Sequence, residues 1–414
     1  MKNMVRVSFW VTAAVAGSLL LVPASANAGS APLRIAYIDD LSGPLAVIGE
    51  RGLKHIEFMA DRINGSGGVA GHPIEVVPFD NENNAEKTLI LLKRAIDSGI
   101  NVVSQGASSS IGYAVSDMVT KQYRRQPDQP VVYLDWSNAD PGLTNDKCSF
   151  WHFRFTLNSD QQTKAMVTYL AARKEVKKVY LLNQDYSMGQ SVEANLSEDL
   201  PKVRPDVQIV GAERVPLGKV KDFAPYVAKI QASGADSVIT ANFGPDLSLF
   251  AKAASAGGLK ATLYTFYGNT PGMASALRGE GKGMVNVAEW NNNVSAPELE
   301  LIAADYKAKN KADFAYWRMA LQMIMLQKAV ENANSIEPSA IAAALEGLVY
   351  HSPIGPITMR KSDHQVVEPV YVSVFTDDVK NDLEGTGFGF KSIGAIAASE
   401  VDVPTTCRMN GPKS

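Results

Sequence analysis

Three consecutive serines, Ser108-Ser109-Ser110, stand between the apolar run Asn101–Gln105 and a helical pattern from Ile111 to Gln122. A hydroxyl-rich loop entering a helix offers unpaired N–H groups and the positive end of the helix dipole, which suits a carboxylate. The same serines also read as an N-cap that satisfies only its own helix. A second polar turn, Asp135-Trp136-Ser137-Asn138-Ala139, follows the strand-like Val131–Leu134. Asp185 and Tyr186 likewise lie between a strand-like run and a helical one. Catalytic patterns are missing: there is no G-x-S-x-G, H-E-x-x-H, P-loop, or G-x-G-x-x-G at a strand–helix junction. The stretches Gly279–Gly283 and Gly385–Gly389 are glycine-rich but miss those spacings. The five histidines are scattered and the two cysteines far apart, so neither a metal site nor a cofactor is expected. The expectation is a binder, not an enzyme.

The elements that carry these loops begin after a leader. Lys2 and Arg6 precede an apolar stretch from Val7 to Val22, and Ala26-Asn27-Ala28 is an A-x-A site. These are the parts of a cleaved secretory signal peptide over 1–28, with export to the periplasm and a mature start at Gly29. No later apolar stretch is long enough to cross a bilayer. The formal charge is −3 with no basic run, so no nucleic-acid partner is expected. In an exported chain, Cys148 and Cys407 are a candidate disulfide, closing a loop of about 260 residues.

From Leu33 onward short apolar runs alternate with helical patterns. Leu33–Ile38, Ile74–Phe79, Asn101–Gln105 and Val131–Leu134 read as strands; Gly49–Asn64, Ala85–Ser98 and Ile111–Gln122 read as helices. A second series follows, with strands Val179–Asn183, Val207–Ala212, Ser237–Ala241 and Thr262–Phe266. Helices Gly189–Asp199, Phe223–Ser233 and Leu247–Ala256 separate them. Such alternation predicts an α/β fold with parallel sheets. Three further helices, Glu298–Ala308, Tyr316–Ala333 and Pro338–Leu345, and a strand Pro369–Phe375 must pack onto these two units.

The order of motifs resembles the leucine/isoleucine/valine-binding proteins. Ile35–Gly49, I-A-Y-I-D-D-L-S-G-P-L-A-V-I-G, is similar to their first segment, and Ile63–Gly71 to their I-N-x-x-G-G-I-x-G turn. The serine loop in Gly106–Asp117, Ala139–Thr144, Asp185–Gly189, Asp222-Phe223 and Gly258-Leu259-Lys260 continue the match in register over roughly 33–350. The resemblance implies the type I periplasmic-binding-protein fold: two doubly wound parallel-sheet lobes joined by a three-strand hinge. Lobe one would span 32–153 and 284–351, lobe two 154–283 and 352–400, with a tail over 401–414. It further implies a monomer that binds a small-molecule ligand between the lobes and delivers it to the permease and ATPase subunits of an ABC transporter. Service as the ligand-reading module of a sensor is the other role of this fold.

Carried onto this chain residue by residue, the resemblance assigns the ligand carboxylate to Ser109, with Ser110 beside it, and further contacts to Ser137 and Asn138. Tyr186 with Asp185, and Phe243, would face the ligand from lobe two. Ile48 takes the place of a side-chain-packing Trp. Relatives that bind amino acids place a Glu against the α-ammonium where this chain has Tyr267. Asp185, Asp246 or Asp135 could substitute for it. Otherwise the ligand is an aromatic or other organic acid lacking an ammonium, which Tyr113, Trp136, Tyr186, Phe243, Phe266 and Tyr267 would suit. Arg318, inside the apolar helix Trp317–Leu326, is expected to point to solvent or to serve the structure, with pairing to an acid near the hinge as the alternative.

Overall fold

The computed structural model describes Met1 and residues 30–43, 45–409 and 411–412. Residues 2–28 of the expected leader, its cleavage site and Pro44 of the first motif lie outside the described residues. Lobe one opens with β1 (Leu33–Asp39), α1 (Ala46–Gly65), β2 (Ile74–Asp80), α2 (Ala85–Asp97), β3 (Val102–Gln105), α3 (Ser109–Arg125), β4 (Val132–Asp135) and β5 (His152–Arg154). Its sheet has the order β2-β1-β3-β4-β5, and every pair is parallel. Parallel neighbours need crossover helices, which cover both faces of the sheet, so β3 and β4 are buried along their whole length.

Lobe two begins with α4 (Ser159–Ala171), β6 (Lys178–Gln184), α5 (Ser187–Val203), β7 (Gln208–Val215) and α6 (Ala224–Ser233). It continues with β8 (Ser237–Thr240), α7 (Gly244–Ala256), β9 (Thr262–Thr265), α8 (Met273–Leu277) and β10 (Val285–Ala288). The chain then returns to the core of lobe one with α9 (Pro297–Asn310), α10 (Trp317–Ala333) and α11 (Pro338–Leu345). A small antiparallel sheet follows, of β11 (Val349–Ser352), β12 (Gly355–Met359) and β13 (Val366–Val367). The last elements are β14 (Val370–Thr376), β15 (Gly389–Ile396) and α12 (Ala398–Val401). The second sheet has the order β15-β14-β10-β9-β8-β6-β7, parallel from β7 to β10 and antiparallel beyond.

Core membership shows where the chain changes lobes. Phe155, Trp290 and Val366 pack in the first core; Leu157, Val287 and Val370 pack in the second. The three crossings therefore centre on Thr156, Glu289 and Glu368, all buried. Two expected boundaries move. Residues 285–288 were placed with lobe one, but β10 lies between β9 and β14 in the sheet of lobe two. Residues 352–367 were placed with lobe two, but Ile357, Met359 and Val366 fill the core of lobe one.

The tail crosses once more. Val401 belongs to the second core. Four residues on, Thr405 donates its hydroxyl to Thr144 O at 2.7 Å, and the Cys148–Cys407 disulfide joins Cα atoms 5.7 Å apart. The pairing expected from the sequence is present. Among the described residues no helix is long and apolar enough to cross a membrane, and no cluster of three or more His, Cys, Asp or Glu could hold a metal.

Candidate ligand-binding cleft

Between the lobes, at the C-terminal ends of both parallel sheets, lies a cavity of about 660 Å3, counted with the part open to solvent. Its lobe-one wall comes from Leu45 and Ile48 after β1, Gly106–Ser109 after β3, and Ser137–Ala139 after β4. Asn83 adds to that wall, as do Tyr316 and Arg318 at the start of α10. The lobe-two wall comes from Tyr186, Leu217, Phe243, Tyr267 and Thr270. The neighbours β1 and β3 run to helices on opposite sides of the sheet, which opens a crevice between their ends.

The serine loop does not cap its helix. Ser108, the N-cap residue of α3, makes no side-chain cap bond, and its Oγ lies 3.0 Å from Ser110 Oγ. Gly112 N is bonded to Ser108 O, so the N–H groups of the first turn are left without intrahelical acceptors. Ser109 Oγ accepts Asp140 N at 3.3 Å. A hydroxyl and a helix N-terminus thus face a mainly apolar cavity.

Asp39, fully buried at the end of β1, holds the loops in place. It accepts Gly106 N at 3.1 Å, Ala107 N at 3.0 Å and Trp136 Nε1 at 2.7 Å. Burial, helped by the charge of Asp40, pushes its carboxyl up to about 7 against the pull of those donors. Gly106 must lack a side chain, because a Cβ there would lie 2.7 Å from Ser137 N. Asp135 in turn caps Ser137 N and Asn138 N at 3.2 and 2.8 Å, while Asn138 Nδ2 donates to Tyr133 Oη at 2.8 Å.

On lobe two, Tyr186 and Phe243 are the residues preceding helices α5 and α7, where a side chain points off the sheet end into the crevice. Tyr186, Phe243 and Tyr267 meet edge to face, with centroids 6.2 and 5.9 Å apart. Burial raises the Tyr267 hydroxyl to about 12, so it is neutral.

Of the expected site residues, Ile48, Ser109, Ser137, Asn138, Tyr186, Phe243 and Tyr267 line the cavity. Ser110 and Asp185 do not: both are exposed, and Asp185 is bonded by Gln190 Nε2 at 3.1 Å. They follow lining residues in sequence but face the outside of their helix starts. Of the six aromatics weighed, Trp136 and Phe266 are core, and Tyr113 donates to Asp140.

Arg318 takes the alternative weighed for it, pairing with an acid at the hinge, and not the favoured position in solvent. It is 7% exposed, Nη1 donates to Glu289 at 3.1 Å, Nε has no partner, and the guanidinium sits 5.0 Å from the Tyr316 ring centroid. A cation at the second residue of a helix meets the positive end of the dipole. That mismatch was the available sign that an anion must lie nearby. Tyr316 was read only as the first residue of its helical pattern. It is fixed by His55, whose Nε2 accepts Ala315 N at 3.0 Å; burial lowers His55 to about 3 and keeps it neutral.

The same architecture recurs in known proteins. The model of the periplasmic binding protein family matches residues 32–380. The chain belongs to that family. As a periplasmic binding protein it is a ligand binder, not an enzyme. It is 30% identical over 412 residues to Leu/Ile/Val-binding protein homolog 4 of Brucella abortus, covering 97% of this chain and 99% of that one. The closed crystal structure of a leucine-, isoleucine-, valine-, threonine- and alanine-binding protein from Brucella ovis superposes with a TM-score of 0.84 at 28% identity. That match spans 92% of this chain and all of the other. A solute-binding protein of an ABC transporter from Rhodopseudomonas palustris, in complex with 3,4-dihydroxybenzoic acid, gives a TM-score of 0.75 at 18% identity over 89% and 98% of the two chains. It shares the fold.

Proposed function

We propose that this periplasmic binding protein is the substrate-binding component of an ABC-type importer, working in the periplasm after removal of its leader. It takes a small carboxylate-bearing solute, a branched-chain amino acid or another organic acid, into the interlobe cleft. The observation that carries this reading is the uncapped first turn of α3 facing a cavity walled by both lobes. Unpaired N–H groups at a helix N-terminus favour an anion. Ser109, Ser137 and Asn138 would hold the carboxylate, and Ile48, Tyr186, Phe243 and Tyr267 the body of the ligand.

Binding begins on lobe one, where the polar loops are preformed. Contacts to the lobe-two aromatics then favour the closed arrangement. The permease and ATPase subunits would read the closed pair of lobe surfaces.

Calorimetric titration of unfolded, ligand-stripped and refolded protein tests this. Leucine, valine, benzoate and cinnamate are compared with their carboxamides. At least one acid should bind, and its amide should bind at least about tenfold more weakly. Equal binding of acid and amide would remove the carboxylate contact.

A further inference from the structure

Among the described residues the cavity wall carries one charged side chain, and it is a cation. Arg318 lines the cleft; none of the other lining residues carries a formal charge. Each acid in the neighbourhood is already engaged or set behind the wall. Asp39 is consumed by two loop N–H groups and the Trp136 indole. Asp135 takes Ser137 N and Asn138 N together with the ring of His152; Asp246 takes Gln184 Nε2 and Gly218 N on Oδ2, while its Oδ1 is buried without a partner behind the wall and outside the lining. Glu289 holds Arg318, and Glu368 accepts the Trp317 indole. Asp40 has no hydrogen-bond partner, but it is fully buried and is not part of the lining.

An α-amino acid brings an ammonium into this space with its carboxylate. Stripped of water, the ammonium needs an anion or several acceptors. On this wall it would meet the guanidinium of Arg318, whose counter-charge, Glu289, is already paired with it at 3.1 Å and is not part of the lining. A ligand without the ammonium meets no such conflict, and its carboxylate carries the charge opposite to that of Arg318 on the wall.

We infer that the cleft selects organic acids lacking an α-ammonium group, and that Arg318, fixed by Glu289 at the hinge, is the residue that discriminates. The apolar and aromatic walls supply the rest of the fit, since Leu45, Ile48, Leu217, Phe243 and Tyr316 enclose a hydrocarbon or ring body. This inference rests on the carboxylate-binding reading and narrows it to one ligand class.

Matched pairs that differ only in the ammonium test it: leucine against 4-methylpentanoate, and phenylalanine against 3-phenylpropanoate. Ligand-stripped, refolded protein is titrated with all four by calorimetry. The des-amino acid should bind at least tenfold tighter in whichever pair binds. In Arg318→Met that ratio should collapse towards one, whereas a purely structural role for Arg318 would weaken both members alike and leave the ratio unchanged. Equal or tighter binding of the amino acid overturns the selectivity and leaves the carboxylate reading standing. Silence from both pairs overturns the two together.

Discussion

The indole of Trp136 donates to Asp39 Oδ2 at 2.7 Å, and this bond ties the loop after β4 to the end of β1. The same carboxylate accepts Gly106 N and Ala107 N, so three strand ends share one anchor. Asp39→Ala would leave a buried indole N–H and two backbone N–H groups unpaired. The expected loss is about 2–4 kcal/mol of stability together with most of the ligand affinity, because the serine loop loses its support. Denaturant unfolding and calorimetry on one preparation check both. An Asp39→Ala protein of unchanged affinity would show that the loops hold their positions without the anchor.

Ser109→Ala touches the site more narrowly. Its hydroxyl makes a single long protein bond, with Asp140 N at 3.3 Å, so stability should change little. Affinity for the bound acid should fall by about tenfold or more, roughly 1.4 kcal/mol. Unchanged affinity would take Ser109 out of the site.

The Cys148–Cys407 bridge returns the tail from the core of lobe two to lobe one and spans 259 residues of sequence. Thiol titration of denatured, unreduced protein should find no free thiol. Reduction should lower stability by about 2–5 kcal/mol. Two reactive thiols before reduction would contradict the pairing.

His364 is buried against Phe153, with neither ring nitrogen hydrogen-bonded, and burial lowers it to about 3. Below the ordinary histidine value near 6.5 the unfolded chain takes up a proton that the folded chain refuses, so stability falls as pH drops from about 6.5 towards 3. Asp39 and Asp40, raised to about 7 and 6, act in the opposite sense, losing stability as pH rises through the same range. A difference between variants isolates the histidine. His364→Asn, which tolerates the positive φ at this position, should show a shallower acid loss than the wild type in denaturant titrations between pH 7 and 4. Parallel pH profiles would mean that His364 protonates equally in both states.

Much of the architecture was legible because apolar periodicity survives wherever an element buries one continuous face. That holds for the strands Leu33–Ile38 and Val179–Asn183 and for the helix after Gly49. Helix α4 escaped because its buried face carries Gln161, Gln162 and Thr163, which break the apolar pattern. Its capping box, Asn158 with Gln161, was the readable sign. Strand β15 escaped because it is an edge strand with Lys391 and Ser392 interrupting its apolar residues. In the cleft, residues on loops between strand and helix could be placed by order along the chain. Arg318 and Tyr316 could not, because they reach the cavity from a helix more than 170 residues after the first sheet's loops. Only packing of α10 on lobe one brings them there.

A crystal structure of the protein co-crystallised with its tightest-binding acid bears on the central claim most directly. The carboxylate oxygens are predicted to lie within about 3.2 Å of the first-turn N–H groups of α3 and of Ser109 Oγ, with the ligand body between Ile48 and Tyr316 on one side and Phe243 and Tyr267 on the other. A ligand seated outside the interlobe cleft, or one turned with its carboxylate away from α3, would contradict it.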